Sequence, residues 1–218
     1  MKNTKVIAVI LCTSMVAGIA GCTTVETSAS LPETTVATTE AVQESESAIT
    51  EAAPVIADSG VDYLAGHQKF EVTATDLVDG VWADVISSTS RGNNVSPALK
   101  WEAVDGASEY IIYMIDMNTT EAIACGSLHW KSGGITVTEL PQGWAPSIDF
   151  AGPRPPAGVT HIYEIYVVAL KEPVDRLKGS VRAVNPKFES FITELDTDSE
   201  GNTGNILAYG KISGTYTG

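Results

Sequence analysis

The sequence predicts a mainly β domain, and three observations carry that expectation. Short apolar runs rich in β-branched and aromatic residues recur at 69–74, 110–117, 134–138, 162–170 and 206–216. Their lengths suit strands, and clusters of Gly, Pro, Asn and Asp separate them. Helical periodicity is scarce, with 187–195 reading as one short helix. A stiff turn, Gly152-Pro153-Arg154-Pro155-Pro156-Ala157-Gly158, leads directly into one of the apolar runs. Each proline there fixes φ and withholds a backbone donor, while the flanking glycines permit sharp turns. Several short strands with one or two short helices imply a sandwich or a barrel.

The chain begins differently. Lys2 and Lys5 precede an apolar run at 6–20, the layout of an export signal. A spanning helix needs about 20 apolar residues, more than this run supplies. The run ends in Ile19-Ala20-Gly21-Cys22, which resembles a bacterial lipobox. That resemblance implies a signal peptide at 1–21, cleavage before Cys22 and lipidation of its thiol and new amino group. The alternatives are an ordinary signal peptide or an uncleaved anchor helix.

From 23 to 60 Thr, Ser, Glu and Ala dominate, with no Lys, Arg or aromatic residue. Such a segment buries too little apolar surface to offset its ordering entropy. It reads as a disordered tether following the lipidated Cys22, with the domain at 61–218. Three cysteines occur, Cys12, Cys22 and Cys125. Loss of Cys12 with the signal and lipidation of Cys22 leave Cys125 no intramolecular disulfide partner. It reads as a small buried apolar residue.

Charge narrows the function classes. The chain carries 27 acidic and 13 basic side chains, a formal net charge of −14. Nucleic-acid binding needs clustered Lys and Arg to neutralise phosphates, and no such cluster is present. Broad adsorption to anionic lipid is disfavoured for the same reason, so the acyl chains would hold the protein on its membrane.

Chemistry-bearing residues gather around the Pro-rich turn. Side chains alternate along a strand, so His161 and Tyr163 project to one face where the turn enters it. The bland reading is a core strand with a buried histidine. The Gly-Pro-x-Pro-Pro-x-Gly turn followed by His-x-Tyr resembles the phosphatidylethanolamine-binding protein family, and its bacterial Raf-kinase-inhibitor-like branch in particular. Two further stretches share the resemblance: Gly92-Asn93-Asn94-Val95-Ser96-Pro97-Ala98-Leu99-Lys100-Trp101, and Leu128-His129-Trp130. It runs over roughly 68–217 and implies a β-sandwich with an anion pocket at one end.

The resemblance implies ligand-binding roles for Asp116, His129, Pro155, His161 and Tyr163. An imidazole beside a carboxylate keeps a raised pKa, and a phenol or a second imidazole can donate to a phosphate oxygen. Strand alternation would turn Leu128 and Trp130 to the core and His129 to the pocket. Two departures stand out. Met117-Asn118-Thr119-Thr120 follows Asp116 where the family has Pro-Asp-x-Pro. Ile162 replaces the usual Arg between His161 and Tyr163, which removes a positive group from the pocket.

Other chemistries find less support. Asp116, His129 and His161 could imitate a two-His-one-carboxylate metal site, but their spacing does not require one. A calcium loop starting at Asp196 would need Glu where Leu207 stands. No nucleophile elbow, phosphate loop or zinc-protease helix occurs, so no enzyme and no cofactor are expected. The expected function is a lipid-anchored extracytoplasmic binding module for a small anion or phosphorylated head group. The alternative is a protein-interaction module, such as an inhibitor of an exported peptidase or signalling partner. A protein partner or a homodimer fits either reading.

Overall fold

The computed structural model describes residues 57–118, 127–185 and 188–218. The export signal, Cys22, most of the tether and Cys125 lie outside the described residues. Ten strands are described: β1 Gln68–Lys69, β2 Val72–Ala74, β3 Leu77–Val78, β4 Val81–Trp82, β5 Leu99–Trp101, β6 Glu109–Asp116, β7 Ser127–Ile135, β8 Glu139–Leu140, β9 Thr160–Leu170 and β10 Ile206–Thr217. A 3-10 turn spans Asp84–Ile86, and the helix α1 spans Phe188–Leu195.

Seven strands form one mixed sheet in the order β3-β4-β10-β9-β6-β7, with β1 added against β10. Most pairs are antiparallel, but β1 and β4 run parallel to β10. A second sheet joins β2, β5 and β8. The central strands are apolar on both sides, as a sheet covered on both faces requires. All eight residues of β6 are buried. Ile112, Met114, Ile165 and Val167 meet Val72, Leu99 and Trp101 of the small sheet. The alternate residues Ile111, Tyr113, Tyr166 and Val168 meet Phe188, Ile192 and Leu195 of α1. Period-2 alternation thus serves two cores, and Tyr163 belongs to the one between the sheets.

The predicted run 69–74 is divided between the two sheets. Its start pairs with β10 and its end with β5. Gly210 allows the crossing, because a Cβ there would stand 2.1 Å from Val72 Cγ2. Residues 57–60, placed by the sequence in the tether, are hydrogen-bonded to the domain. Ser213 Oγ donates to the Ala57 carbonyl at 2.6 Å. Ser59 donates to Glu164 Oε1 through its backbone N–H at 3.0 Å and its hydroxyl at 2.7 Å.

Candidate functional site

The site lies where β6 and β9 end beside the Pro-rich loop. Asp116, last in β6, pairs in register with Tyr163 of β9. His161 sits two residues along β9, diagonally opposite, within reach of a long side chain. Its Nδ1 lies 2.7 Å from Asp116 Oδ2. A carboxylate can only accept, so Nδ1 donates. The other oxygen, Oδ1, accepts from the Asn118 N–H at 2.9 Å. Asn118 Oδ1 in turn accepts from the Ile162 N–H at 2.6 Å, and the Met117 N–H donates to the Ile162 carbonyl at 2.9 Å. Met117 and Asn118, where the expected Pro-Asp is absent, therefore tie the end of β6 to β9 beside the Asp116 carboxylate, while Thr119 and Thr120 lie outside the described residues.

His129 reaches the same place by a different device. Met114 pairs with Trp130 and Ile115 with Leu128, which leaves His129 as the extra residue of a β-bulge. Bulges re-aim side chains and are common beside functional sites. Simple alternation fails here. Trp130 packs between the sheets and Leu128 packs on the helix side, so the two do not share a face. His129 Nδ1 donates to the Ala151 carbonyl at 2.6 Å, while the Ala151 N–H donates to the His129 carbonyl at 2.7 Å. The ring meets Tyr163 edge-on at 5.1 Å between centroids, and His161 stacks on Tyr163 at 6.3 Å.

Burial sets the electrostatics. It pushes the His129 pKa below the ordinary imidazole value, against the pull of the Ala151 carbonyl and the Asp116 charge. The expectation of a raised pKa therefore fails for His129. Burial, and then the Asp116 charge, push the Tyr163 phenol far up, so it stays protonated. Its hydroxyl is sealed from solvent and closes no hydrogen bond, although Asp116 and the Arg154 backbone lie near enough to bias its proton.

The Pro-rich loop and the 92–101 stretch lock together. A Cβ on Gly152 would stand 1.8 Å from the Ile86 carbonyl oxygen, so only glycine fits. The Gly152 N–H donates to Asn94 Oδ1 at 2.7 Å, and Ser88 Oγ donates to the Gly152 carbonyl at 2.9 Å. Asn94 itself adopts φ 54, a conformation Asn tolerates better than most residues. Pro155 is buried in this loop. Its carbonyl oxygen lies close to the Gly218 backbone, 2.3 Å from where a Cβ on that glycine would stand.

A cavity of about 440 Å³ opens on this cluster, lined by Ser88, Asn94, Ser127, His129, Arg154 and Arg182 together with the Ala151–Gly152 backbone. The sequence reading missed both arginines. Arg154 was visible inside the Pro-rich turn. Arg182 carried no local signal, because tertiary pairing delivers it: its N–H donates to the Leu128 carbonyl at 2.8 Å, one residue from the bulge. Neither guanidinium has a carboxylate partner among the described residues. Two guanidinium groups, one from the Pro-rich loop and one from the segment after β9, thus line the cavity beside His129.

Comparison with known proteins bears on the whole arrangement. The sequence profile of the phosphatidylethanolamine-binding protein family matches residues 73–217. The chain belongs to that family. No curated protein matches it significantly. Two bacterial crystal structures share the fold. One is Escherichia coli YbcL, described as a member of the mammalian PEBP family, at 21% identity and TM-score 0.51, covering 68% of this chain and 98% of its own. The other is a phosphatidylethanolamine-binding protein homolog from Chlamydia trachomatis, at 19% identity and TM-score 0.52, covering 69% and 99%. Membership supports a ligand-binding or interaction module in general. In this chain Asp116, His129, His161 and Tyr163 form one contact cluster, with Asn118 bonded to Asp116 and with Arg154 and Arg182 lining the cavity beside His129.

Proposed function

We propose that this family member is a lipid-anchored, extracytoplasmic binding module whose cavity holds a small anion or phosphorylated head group without transforming it. One observation carries the reading: two guanidinium groups without carboxylate partners among the described residues line the same cavity as His129, in a chain of net charge −14. Guanidinium forks suit phosphate and carboxylate oxygens. Tyr163 packs edge-on against His129, and the His161 ring, bonded to Asp116, stacks on Tyr163. The lipobox ending in Cys22 supports the anchor.

Calorimetric titration of the full-length protein with phosphate, acetate and phosphoethanolamine tests the pocket. Phosphate should bind, and Arg182→Ala should weaken it by roughly 1.5–3 kcal/mol, the worth of a charge-assisted hydrogen bond. No binding at millimolar concentration, or unchanged binding by the variant, would favour a second reading, an interaction module such as an inhibitor of an exported peptidase. The 78% exposed Ile148 favours that reading, because it follows Ser147, whose carbonyl Arg182 approaches at 3.4 Å. Metabolic acyl labelling of wild type and of Cys22→Ala tests the anchor. Equal labelling of both would remove it.

A further inference from the structure

We infer that a second cavity, on the edge of β10 turned away from β9, captures the amino-terminal end of an extended peptide. The cavity measures about 460 Å³, and its walls include Asp58, Phe70, Leu77, Asp79, Ile212 and Ser213. It shares no lining residue with the cavity at His129, so either site can fail without the other.

The backbone points to a peptide. On one edge β10 pairs with β9, in unbroken register from Ala208 to Thr217. On the other edge β1 pairs as far as Tyr209, and β4 pairs only at Thr215. The Phe70 N–H donates to the Tyr209 carbonyl at 2.9 Å, and the Thr215 N–H donates to the Gly80 carbonyl at 2.8 Å. Backbone groups alternate between the two edges of a strand, so Tyr209, Lys211, Ser213 and Thr215 all turn theirs away from β9. Lys211 and Ser213 fall between the two pairings, and no strand among the described residues pairs with them on that edge. Both residues line the cavity. Each brings an N–H and a C=O, the pattern that an added strand complements. The gap at 210–214 is about 17 Å long, at about 3.3 Å per residue. Since β1 and β4 close both its ends, a continuous strand cannot run through it, but a chain end of two or three residues fits.

The charges choose which end. Lys69 is held by Asp62 at 2.9 Å, and Lys211 by Glu164 and Asp58 at 3.1 Å. Both cations at the cavity are thus engaged by carboxylates. Asp79, in contrast, forms no ion pair among the described residues. The excess of carboxylate favours an ammonium group and repels a terminal carboxylate. A peptide's α-amino group is largely protonated near pH 7. The floor is apolar, because Phe70, Leu77 and Ile212 pack against the core between the sheets. A Cβ on Gly210 would stand 2.9 Å from Phe70 Cε2, and one on Gly214 would stand 2.3 Å from Leu77 Cδ1. Those two side chains therefore lie on β10 at either end of the gap, and an aliphatic first residue of the peptide would pack between them.

The test is NMR titration of the 15N-labelled full-length protein near pH 7 with leucyl-leucinamide, which has a cationic amino end and no carboxylate. It should bind at millimolar concentration and shift the amide signals of Lys211 and Ser213. Its N-acetyl derivative should bind at least about tenfold more weakly, having lost a charge-assisted hydrogen bond. Isoamylamine keeps the charge and the aliphatic chain but has no peptide group, and should also bind about tenfold more weakly. Asp79→Asn removes the charge and keeps a residue that accepts φ 51 in the Asp79-Gly80 turn. It should weaken the dipeptide about threefold. Equal binding of the acetylated peptide, unchanged binding by Asp79→Asn, or shifts confined to other residues would overturn the inference. So would strong protection of the Lys211 and Ser213 amides from hydrogen exchange in the free protein, which would show that another part of the chain, or a second copy, already covers this edge.

Discussion

Asp116 is held from two sides, by His161 Nδ1 and by the Asn118 N–H, and this fixes where the neighbouring ring can sit. Asp116→Asn should loosen His161 from its tautomer and weaken phosphate binding by about tenfold, read by calorimetry, while Asn118→Ala should cost about 0.5–1.5 kcal/mol in urea unfolding through the lost Ile162 contact. His129 makes a pH prediction with a definite sign. Its folded pKa lies below the ordinary value of 6.5, so the unfolded chain binds the proton more readily. Its contribution to stability is complete above pH 6.5 and is lost as the pH falls below 6.5 toward the folded value. Urea midpoints measured across that interval should decline with acidification, and His129→Gln should flatten the decline. An unchanged slope in the variant would show that His129 does not carry it.

At the scale of elements, the site depends on a loop pressed against backbone. Gly152→Ala would drive a methyl group into the Ile86 carbonyl, so the loop must move and take the Ala151 partner of His129 with it. We expect a loss of about 1–3 kcal/mol from overpacking and a disabled pocket. Gly158→Ala meets open space but keeps φ 73, and should cost about 1 kcal/mol for the left-handed backbone without touching anion binding. Thermal melts and phosphate titration of both variants separate the two causes. The same scale shows what the sequence could reveal. The long runs at 110–117, 162–170 and 206–216 and the helix at 187–195 emerge as β6, β9, β10 and α1, because each carries enough residues to display a period. The strands β3, β4, β5 and β8 hold two or three residues each, too few for any periodic signal. His161, Tyr163 and Asp116 were legible because strand alternation and ordered motifs point to them. The bulge at His129 was not, since a bulge is a property of the pairing of two strands. Arg182 enters the site only through its pairing with Leu128.

Across the whole molecule, β9 has a second function on its other face. Tyr163 faces the site, while Glu164 beside it is fully buried and paired with Lys211 of β10 at 3.1 Å. Tyr166 donates to Glu164 Oε2 at 3.1 Å, and Ser59 supplies two donors to Oε1. Lys211 also reaches Asp58 at 3.1 Å and the Val61 carbonyl at 2.8 Å. A buried ion pair is stable only when its remaining hydrogen-bonding capacity is met, and residues 57–61 meet much of it. The end of the tether therefore completes the fold. Removing residues 23–56 should leave the melting temperature unchanged, because the composition of that stretch offers little to bury. Extending the deletion through residue 60 strips Ser59 and Asp58 from the pair and should destabilise the domain by about 1–3 kcal/mol, the cost of leaving buried polar groups short of partners. The double substitution Glu164→Gln with Lys211→Met distinguishes this mechanism from a loss of general packing. With the charges gone, the longer deletion should cost measurably less than it does in the wild type. If both deletions melt together with the intact protein, the contacts of residues 57–60 contribute nothing to stability and the domain begins after them.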